Sequence, residues 1–230
     1  MMQALLNAFF PRRCPACRKL AETVWCYQCA PLVEPTGTSI CQTCGKWLAC
    51  GPRQRCLECI RTPPEFDSMR TAFAYGGPVA EAIMAFKHGN RRSSARPFAA
   101  LVLEQLAPSV LETVDLVAPV PLHPVQLARR GYNQAAILAH HVAIETGLPL
   151  LYALERVRDT GGQGGLSARE RRANVAGAFT VRDPDMLAQR AILVVDDVIT
   201  TGATTLECSR VLRHFGAREV HICAVARPFD

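Results

Sequence analysis

The sequence predicts an α/β protein, a parallel sheet flanked by helices and preceded by a small cysteine-rich module. Three observations carry this. Composition changes near residue 62, with nine of the eleven Cys falling between Cys14 and Cys59. Beyond that point short apolar runs alternate with longer helical patterns, as strands alternate with crossover helices in a parallel sheet. The length, 230 residues, suits one full domain and one small one. The expected division is 1–62 and 63–230, with Thr62-Pro63-Pro64 as a stiff joint. An apolar content of 49% with 20% charged residues excludes a disordered chain.

Residues 4–10 read as a short helix docked by Leu and Phe side chains. The run has no basic residue before it and no small-residue cleavage site after it, so it is not expected to be a signal peptide. No stretch approaches the ~18–20 apolar residues of a membrane span. A cytosolic location follows, where thiols stay reduced and paired Cys read as metal ligands.

The cysteines form four CxxC pairs: Cys14/Cys17, Cys26/Cys29, Cys41/Cys44 and Cys56/Cys59. In each pair one tight turn can aim two thiolates at one ion, and four thiolates complete a tetrahedral zinc shell. Eight residues separate the first two pairs and eleven the last two. Nearest pairing gives two tandem zinc ribbons; interleaved pairing and a single occupied site fit the spacing as well. Such closed sites are structural, and the metal would supply the folding energy of a segment with little apolar mass. Trp25 and Trp47 are expected to shield the metal, Cys50 to be a packed or free thiol, and Cys208 and Cys223 to fill core.

In the second part, strands are expected at 70–75, 116–120, 148–154, 179–181, 191–195 and 219–226. Helices are expected at 79–88, 95–106 (stopped near Pro108), 134–146 (closed by Gly147) and 203–215 (closed by Gly216). Residues 155–176 are Gly-, Arg- and polar-rich and too long for an ordinary connection. In such sheets ligands bind beyond the C-terminal strand ends.

The sharpest motif runs from Ile192 to Thr204. A buried apolar strand delivers Asp196 and Asp197 to the sheet edge. Val198 and Ile199 follow, and then the turn Thr200-Thr201-Gly202-Ala203-Thr204 opens a helix. The turn offers N–H groups, hydroxyls and the positive end of a helix dipole, a seat for phosphate. The carboxylates can accept hydrogen bonds from vicinal hydroxyls. A phosphate at one end and a cis-diol nearby describe a ribose 5-phosphate.

This segment resembles the phosphoribosyl pyrophosphate (PRPP) motif of type I phosphoribosyltransferases. The resemblance assigns the ribose hydroxyls to Asp196 and Asp197 and the 5-phosphate to the 200–204 turn, with Mg2+ accompanying PRPP. Arg129, Arg130, Gly131, Asn133 and Gln134 occupy the place of a pyrophosphate loop, where the arginines would neutralise charge and the amides would donate. Residues 155–176, with Arg158, Thr160 and Gln163, occupy the place of a mobile catalytic loop whose glycines suit a lid.

Nearly end to end, the chain resembles the ComF family. The resemblance rests on the CxxC pairs, Phe86-Lys87-His88-Gly89, Pro119 through His123, Arg130 through Gln134, Arg158-x-Thr160-x-x-Gln163-x-x-Leu166, Arg171/Arg172 before Asn174-Val175 and Ala178-Phe179, and the PRPP motif. Gln126 departs from it, since the family commonly carries a basic residue there. The resemblance implies a cytosolic protein linked to DNA uptake in natural transformation or to use of external DNA, with single-stranded DNA and uptake or recombination proteins as partners. Few residues follow the last expected strand, so an acceptor pocket would draw on the N-terminal module and the Lys87 region.

Two function classes stay open. One is a phosphoribosyl transferase that releases pyrophosphate to an unknown acceptor. No residue is an obvious acceptor-activating base; His88 and His123 are near candidates whose expected role is structural. The other is a non-catalytic PRPP sensor that engages single-stranded DNA. The formal charge of +6 does not favour the second. Residues 1–62 hold eight basic and three acidic residues, a formal +5. Each zinc with four thiolates adds −2, so two sites leave the module near +1.

Overall fold

The computed structural model describes residues 11–48, 55–161, 165 and 167–229. The expected helix at 4–10, Cys50, Gln163 and Leu166 lie outside the described residues. The main elements in chain order are α1 (Leu57–Arg61), β1 (Ser68–Ala74), α2 (Gly77–His88), α3 (Ala95–Leu103), α4 (Pro108–Thr113), β2 (Leu116–Pro119), α5 (Pro124–Arg130), α6 (Gln134–Thr146), β3 (Leu154–Arg156), α7 (Ala168–Val175), β4 (Phe179–Val181), β5 (Ala191–Val198), α8 (Ala203–His214) and β6 (Glu219–Arg227).

A parallel four-stranded sheet has the order β1-β6-β5-β2, and β3 pairs antiparallel with β4 beside it. Alternation along β5 divides the core. Leu193 and Val195 pack with Val79, Ile83 and Phe86 of α2, Phe98 of α3 and Leu138 of α6. Ile192 and Val194 pack with Cys208 and Leu212 of α8 and with Phe179 of β4. Cys208 and Cys223 fill core as expected.

The structure departs from the expected elements in four places. Pro108 starts a helix rather than ending one, because a residue without an N–H is at home in a first turn. The expected strand at 148–154 is shorter. The Leu150 region makes one parallel bridge to Val117, and only Leu154–Arg156 forms a strand. Residues 124–130, read as loop, form α5, with Pro124 in its first turn and His123 Nδ1 accepting from the Val125 N–H at 3.4 Å. The stretch 155–176 is not one long loop, because it ends in α7. Ser167 caps that helix, and its N–H and hydroxyl both donate to Glu170 (2.7 and 2.6 Å).

The cysteine module lies along the β1 edge and shares the core. Trp25 is buried against Phe73 at 5.7 Å and Phe98 at 6.3 Å between ring centroids, so it packs into the sheet's helical layer in addition to flanking a cysteine turn. Trp47 is half exposed. Backbone bonds Thr36 N–H to Ala72 O (3.0 Å), Met69 N–H to Thr43 O (2.7 Å) and Ala74 N–H to Glu34 O (2.8 Å) continue the pairing past β1. This covers a sheet edge that would otherwise stay open. Arg91 Nη1 reaches the Pro15 and Ala16 carbonyls, each at 2.6 Å, which makes it a docking residue. Gly45 has φ +64°, and a Cβ there would lie 2.5 Å from the Met69 carbonyl oxygen. Only glycine permits so close an approach.

Candidate functional site

The eight paired cysteines gather into two groups, Cys14/Cys17/Cys26/Cys29 and Cys41/Cys44/Cys56/Cys59. Within each, all sulfurs lie within 4.8 Å of one another. Close pairs such as Cys17–Cys26 (3.5 Å), Cys17–Cys29 (3.7 Å) and Cys44–Cys56 (3.7 Å) match the ~3.8 Å edge of a tetrahedron with Zn–S bonds of ~2.3 Å. Nearest pairing is thus the arrangement in space, and each group could hold zinc. Backbone N–H groups point at the sulfurs, with Cys44 and Cys56 donating to Cys41 Sγ at 3.5 and 3.3 Å.

Each group contains a thiol prepared for ionisation and at least one held back. The N–H of Cys29 leads in lowering Cys26 to about 6. At Cys41 burial opposes ionisation, but N–H donors from Cys44, Cys56 and Thr43 together lower it to about 7. Burial raises Cys44 to about 11 and pushes Cys29 and Cys59 higher still. A bound divalent ion would supply the charge that lets all four ionise.

The carboxylates lie at the C-terminal end of β5, buried on a strand that runs on to Val198. Consecutive strand residues face opposite sides, so Asp196 continues the parity of Ile192 and Val194, and Asp197 that of Leu193 and Val195. Asp197 Oδ2 lies 3.0 Å from Lys87 Nζ of α2. This ion pair lacks hydrogen-bond alignment, and Oδ2 takes no hydrogen bond among the described residues. Asp197 Oδ1 accepts from the Val198 N–H at 3.0 Å, and Asp196 Oδ1 from the Asp197 N–H at 2.8 Å. Burial, reinforced by the neighbouring Asp197, raises the Asp196 carboxyl to about 8. At Lys87 burial opposes the charge, but Asp197 and Asp196 outweigh it and hold the ammonium above its ordinary value.

Beyond the strand, Ile199 N–H bonds the Ala226 carbonyl at 3.0 Å, and the chain turns through Thr200, Thr201 and Gly202 into α8. Gly202 has φ +74° and is the helix N-cap, with no side chain of its own to satisfy the first-turn donors. The Thr201 hydroxyl takes the Ala203 N–H at 3.5 Å, and Thr205 Oγ1 donates to the Gly202 carbonyl at 3.0 Å. Thr200 is exposed, and Thr201 and Thr204 are half-buried. The turn therefore presents N–H groups and hydroxyls outward, as an anion seat requires.

The remaining expected residues are less uniform. Arg129 and Arg130 end α5, where Gly131 turns the chain with φ +80°. Arg129 is exposed, and Arg130 Nη1 donates to Gln134 Oε1 at 2.5 Å. Asn133 caps α6, accepting from Ala135 N–H at 3.0 Å and donating to the Val120 carbonyl at 2.9 Å. Its amide therefore already holds this turn to the end of β2. Arg158 donates to the carbonyls of Asn174 (3.1 Å) and Ala176 (2.5 Å), and the Thr160 carbonyl accepts from Asn174 Nδ2 at 2.8 Å. Gln126 reaches Asp159 Oδ1 at 3.2 Å and the Gly161 carbonyl at 3.4 Å, so α5 is tied to this loop.

Sequence reasoning missed Arg156. It is buried beside Phe179, donates to the Thr160 hydroxyl and leaves Nε without a partner among the described residues. Burial lowers its pKa, and the charges of Cys208, Asp159 and Asp196 act against that. Nothing local in the sequence marks it, because β3–β4 pairing is what buries it.

Residues 124–228 match the family model described as phosphoribosyl transferase domain. The chain is similar to Competence protein F of Haemophilus influenzae, with 33% identity over 95% of this chain and 98% of that protein. It is similar to DNA utilization protein YhgH of Salmonella typhimurium, with 31% identity over 94% and 97%. A glutamine PRPP amidotransferase from B. subtilis, solved with ADP and GMP, superposes with a TM-score of 0.43 and 21% identity, over 61% of this chain and 30% of that one.

Proposed function

Because the chain belongs to the ComF family and folds as a type I phosphoribosyltransferase-like sheet, we propose that it binds Mg2+-PRPP and serves the uptake or use of external DNA in the cytoplasm. One observation carries the ligand: two buried carboxylates at the end of a central strand, followed by a left-handed glycine that opens α8. Asp196 and Asp197 accept the ribose hydroxyls. The N–H groups of the 200–204 turn and the hydroxyls of Thr200, Thr201 and Thr204 take the 5-phosphate. Arg129 and Arg130 neutralise the diphosphate, with Asn133 and Gln134 positioning their loop. Residues Arg158, Thr160 and Gln163 belong to the covering loop, which excludes water from the sugar. Mg2+, when bound with PRPP, draws charge from the diphosphate.

In this reading residues 1–62 form a module held by two structural zinc ions, and 63–230 form the PRPP-binding domain. Turnover would be phosphoribosyl transfer with pyrophosphate release. A PRPP-sensing adaptor for single-stranded DNA is favoured by a different observation: Tyr27 (79% exposed) and Trp47 (51%) project from a module that carries Arg13, Arg18, Lys19 and Lys46. Stacking on such rings tolerates any base sequence.

Titration of Mg2+-PRPP into the protein tests the ligand, and binding unaffected by Asp196→Asn together with Asp197→Asn would refute it. Pyrophosphate release with nucleobases and single-stranded DNA as acceptors separates the two classes. Release points to the transferase; its absence alongside salt-sensitive DNA binding points to the adaptor.

A further inference from the structure

Lys87 stands at the carboxylate pair with no task in the reading above. Its Nζ is 3.0 Å from Asp197 Oδ2, yet the contact is off hydrogen-bond alignment and leaves that buried oxygen with no hydrogen bond. An ion pair of this kind is held by charge more than by direction.

The end of α2 is built into the site. Tyr132 Oη, from the turn after α5, donates to the Phe86 carbonyl. The Arg92 guanidinium lies 4.6 Å over the Tyr132 ring centroid and fixes it from the other side. Gly89 ends the helix where a Cβ would meet the Ala85 carbonyl oxygen at 2.8 Å. The backbone under Lys87 is therefore anchored, and its side chain, 23% exposed, ends on a four-carbon stem with several rotatable bonds. Arg130 is close enough that its charge acts on both Lys87 and His88. Basic side chains of α2 and α5 thus converge beside one acidic pair, in the way a polyanion would require.

We propose that Lys87 is a transferable counter-ion, neutralising Asp197 in the free protein and moving onto the diphosphate of PRPP when the ribose hydroxyls take its place. The inference rests on the PRPP reading of the site. The exchange supplies the hydrogen bonds that Asp197 Oδ2 lacks and keeps the ammonium paired with negative charge. Two sugar hydroxyls replace one misaligned ammonium at the carboxylates, and the ammonium gains a more highly charged acceptor. Lys87 is then a binding residue for the leaving group.

Titration calorimetry on the full chain with Mg2+-PRPP, inorganic pyrophosphate and ribose 5-phosphate tests this. Lys87→Met is expected to weaken PRPP and pyrophosphate by roughly 10- to 100-fold, the worth of a charge-assisted hydrogen bond. Ribose 5-phosphate should bind unchanged or tighter, and Lys87→Arg should recover most of the loss. Equal weakening of all three ligands, or a change in PRPP below about 2-fold, overturns the proposal. Should Lys87→Met fail to fold, the wild-type Lys87 Nζ resonance is the second readout. It is expected to shift with pyrophosphate, and no shift overturns the proposal. A wild-type protein that does not bind PRPP refutes the site's reading instead.

Discussion

On one face of the sheet, Leu193, Val195, Cys223 and Val225 meet α2, α3 and α6, and the first cysteine group joins the same apolar body through Trp25. On the other face, Ile192, Val194, Ile222 and Ala224 meet α8 and the β3–β4 pair, where the buried guanidinium of Arg156 interrupts the apolar packing. Strand parity sends the two neighbouring acids to these different faces. Asp197 makes the ion pair with Lys87, while Asp196 is governed by burial and by Asp197, with Lys87 acting on it at longer range. Residues identical in chemistry and adjacent in sequence thus share one cation unequally, since only Asp197 makes the short contact with it. The first face carries the module and the Lys87 ammonium; the second carries the loop that would cover a ligand.

The largest effect is expected from stripping any metal held by the cysteine groups. Apparent binding energies of structural zinc are on the order of 10 kcal/mol, and zinc held there would be linked to the first face through the packing of Trp25 on Phe73 and Phe98. A chelator strong enough to strip zinc is expected to lower the melting temperature of the whole chain. An unchanged transition would show that the module is separable. Next in size is Trp25→Ala, expected to cost about 3–5 kcal/mol, or roughly 6–20 °C in melting temperature, and to expose the cysteines to thiol reagents. Phe179→Ala, on the opposite face, should leave the thiols protected. Equal thiol exposure in both variants would contradict the division.

Legibility in the sequence followed contiguity. The 192–204 motif and the CxxC pairs lie within short windows, and the structure brings each together. The helix at 134–146 was readable from its period and from Gly147, which has φ +73°. By contrast, the burial of Arg156 depends on Phe179, and the docking of Trp25 on Phe73 and Phe98, partners remote in sequence. Helix α7 was locally signalled by Ser167 and Glu170, but the surrounding glycines and arginines obscured that capping box. Lys87 is marked in the sequence by the Phe86-Lys87-His88-Gly89 motif, but that it meets Asp197 depends on the crossing of α2 over the sheet.

The two acids should respond oppositely to amide substitution. Asp197→Asn leaves Lys87 without its counter-charge and is expected to destabilise the ligand-free protein by roughly 1–3 kcal/mol. Asp196→Asn removes a repulsion and should stabilise it above pH 8, although both variants lose PRPP affinity. The same asymmetry sets the pH dependence. The folded-state pKa of Asp196, about 8, lies well above the ordinary value of an aspartate in an unfolded chain, about 3.9. Its protonated form therefore contributes stability that is present at low pH and lost as pH rises through about 8, at most about 1.4 kcal/mol per pH unit. The ligand-free melting temperature should fall from pH 5 to pH 9 while PRPP binding tightens. Asp196→Asn should flatten both trends; slopes unchanged in that variant would assign them to another group.

The smallest effect concerns the tie between α5 and the loop on the second face. Gln126 Nε2 donates to Asp159 Oδ1 and to the Gly161 carbonyl, and Asp159 also accepts the Gly161 N–H at 3.0 Å. These are exposed, neutral-donor contacts, so Gln126→Ala is expected to change stability by under about 1 kcal/mol. Their value is positional, since they hold residues 159–161 against the helix that ends in Arg129 and Arg130. Hydrogen exchange at Gly161 should quicken in the variant, while Cys26 and Trp25 on the first face keep their protection. A matching rise in exchange around Trp25 would mean that the two faces open together as one cooperative unit.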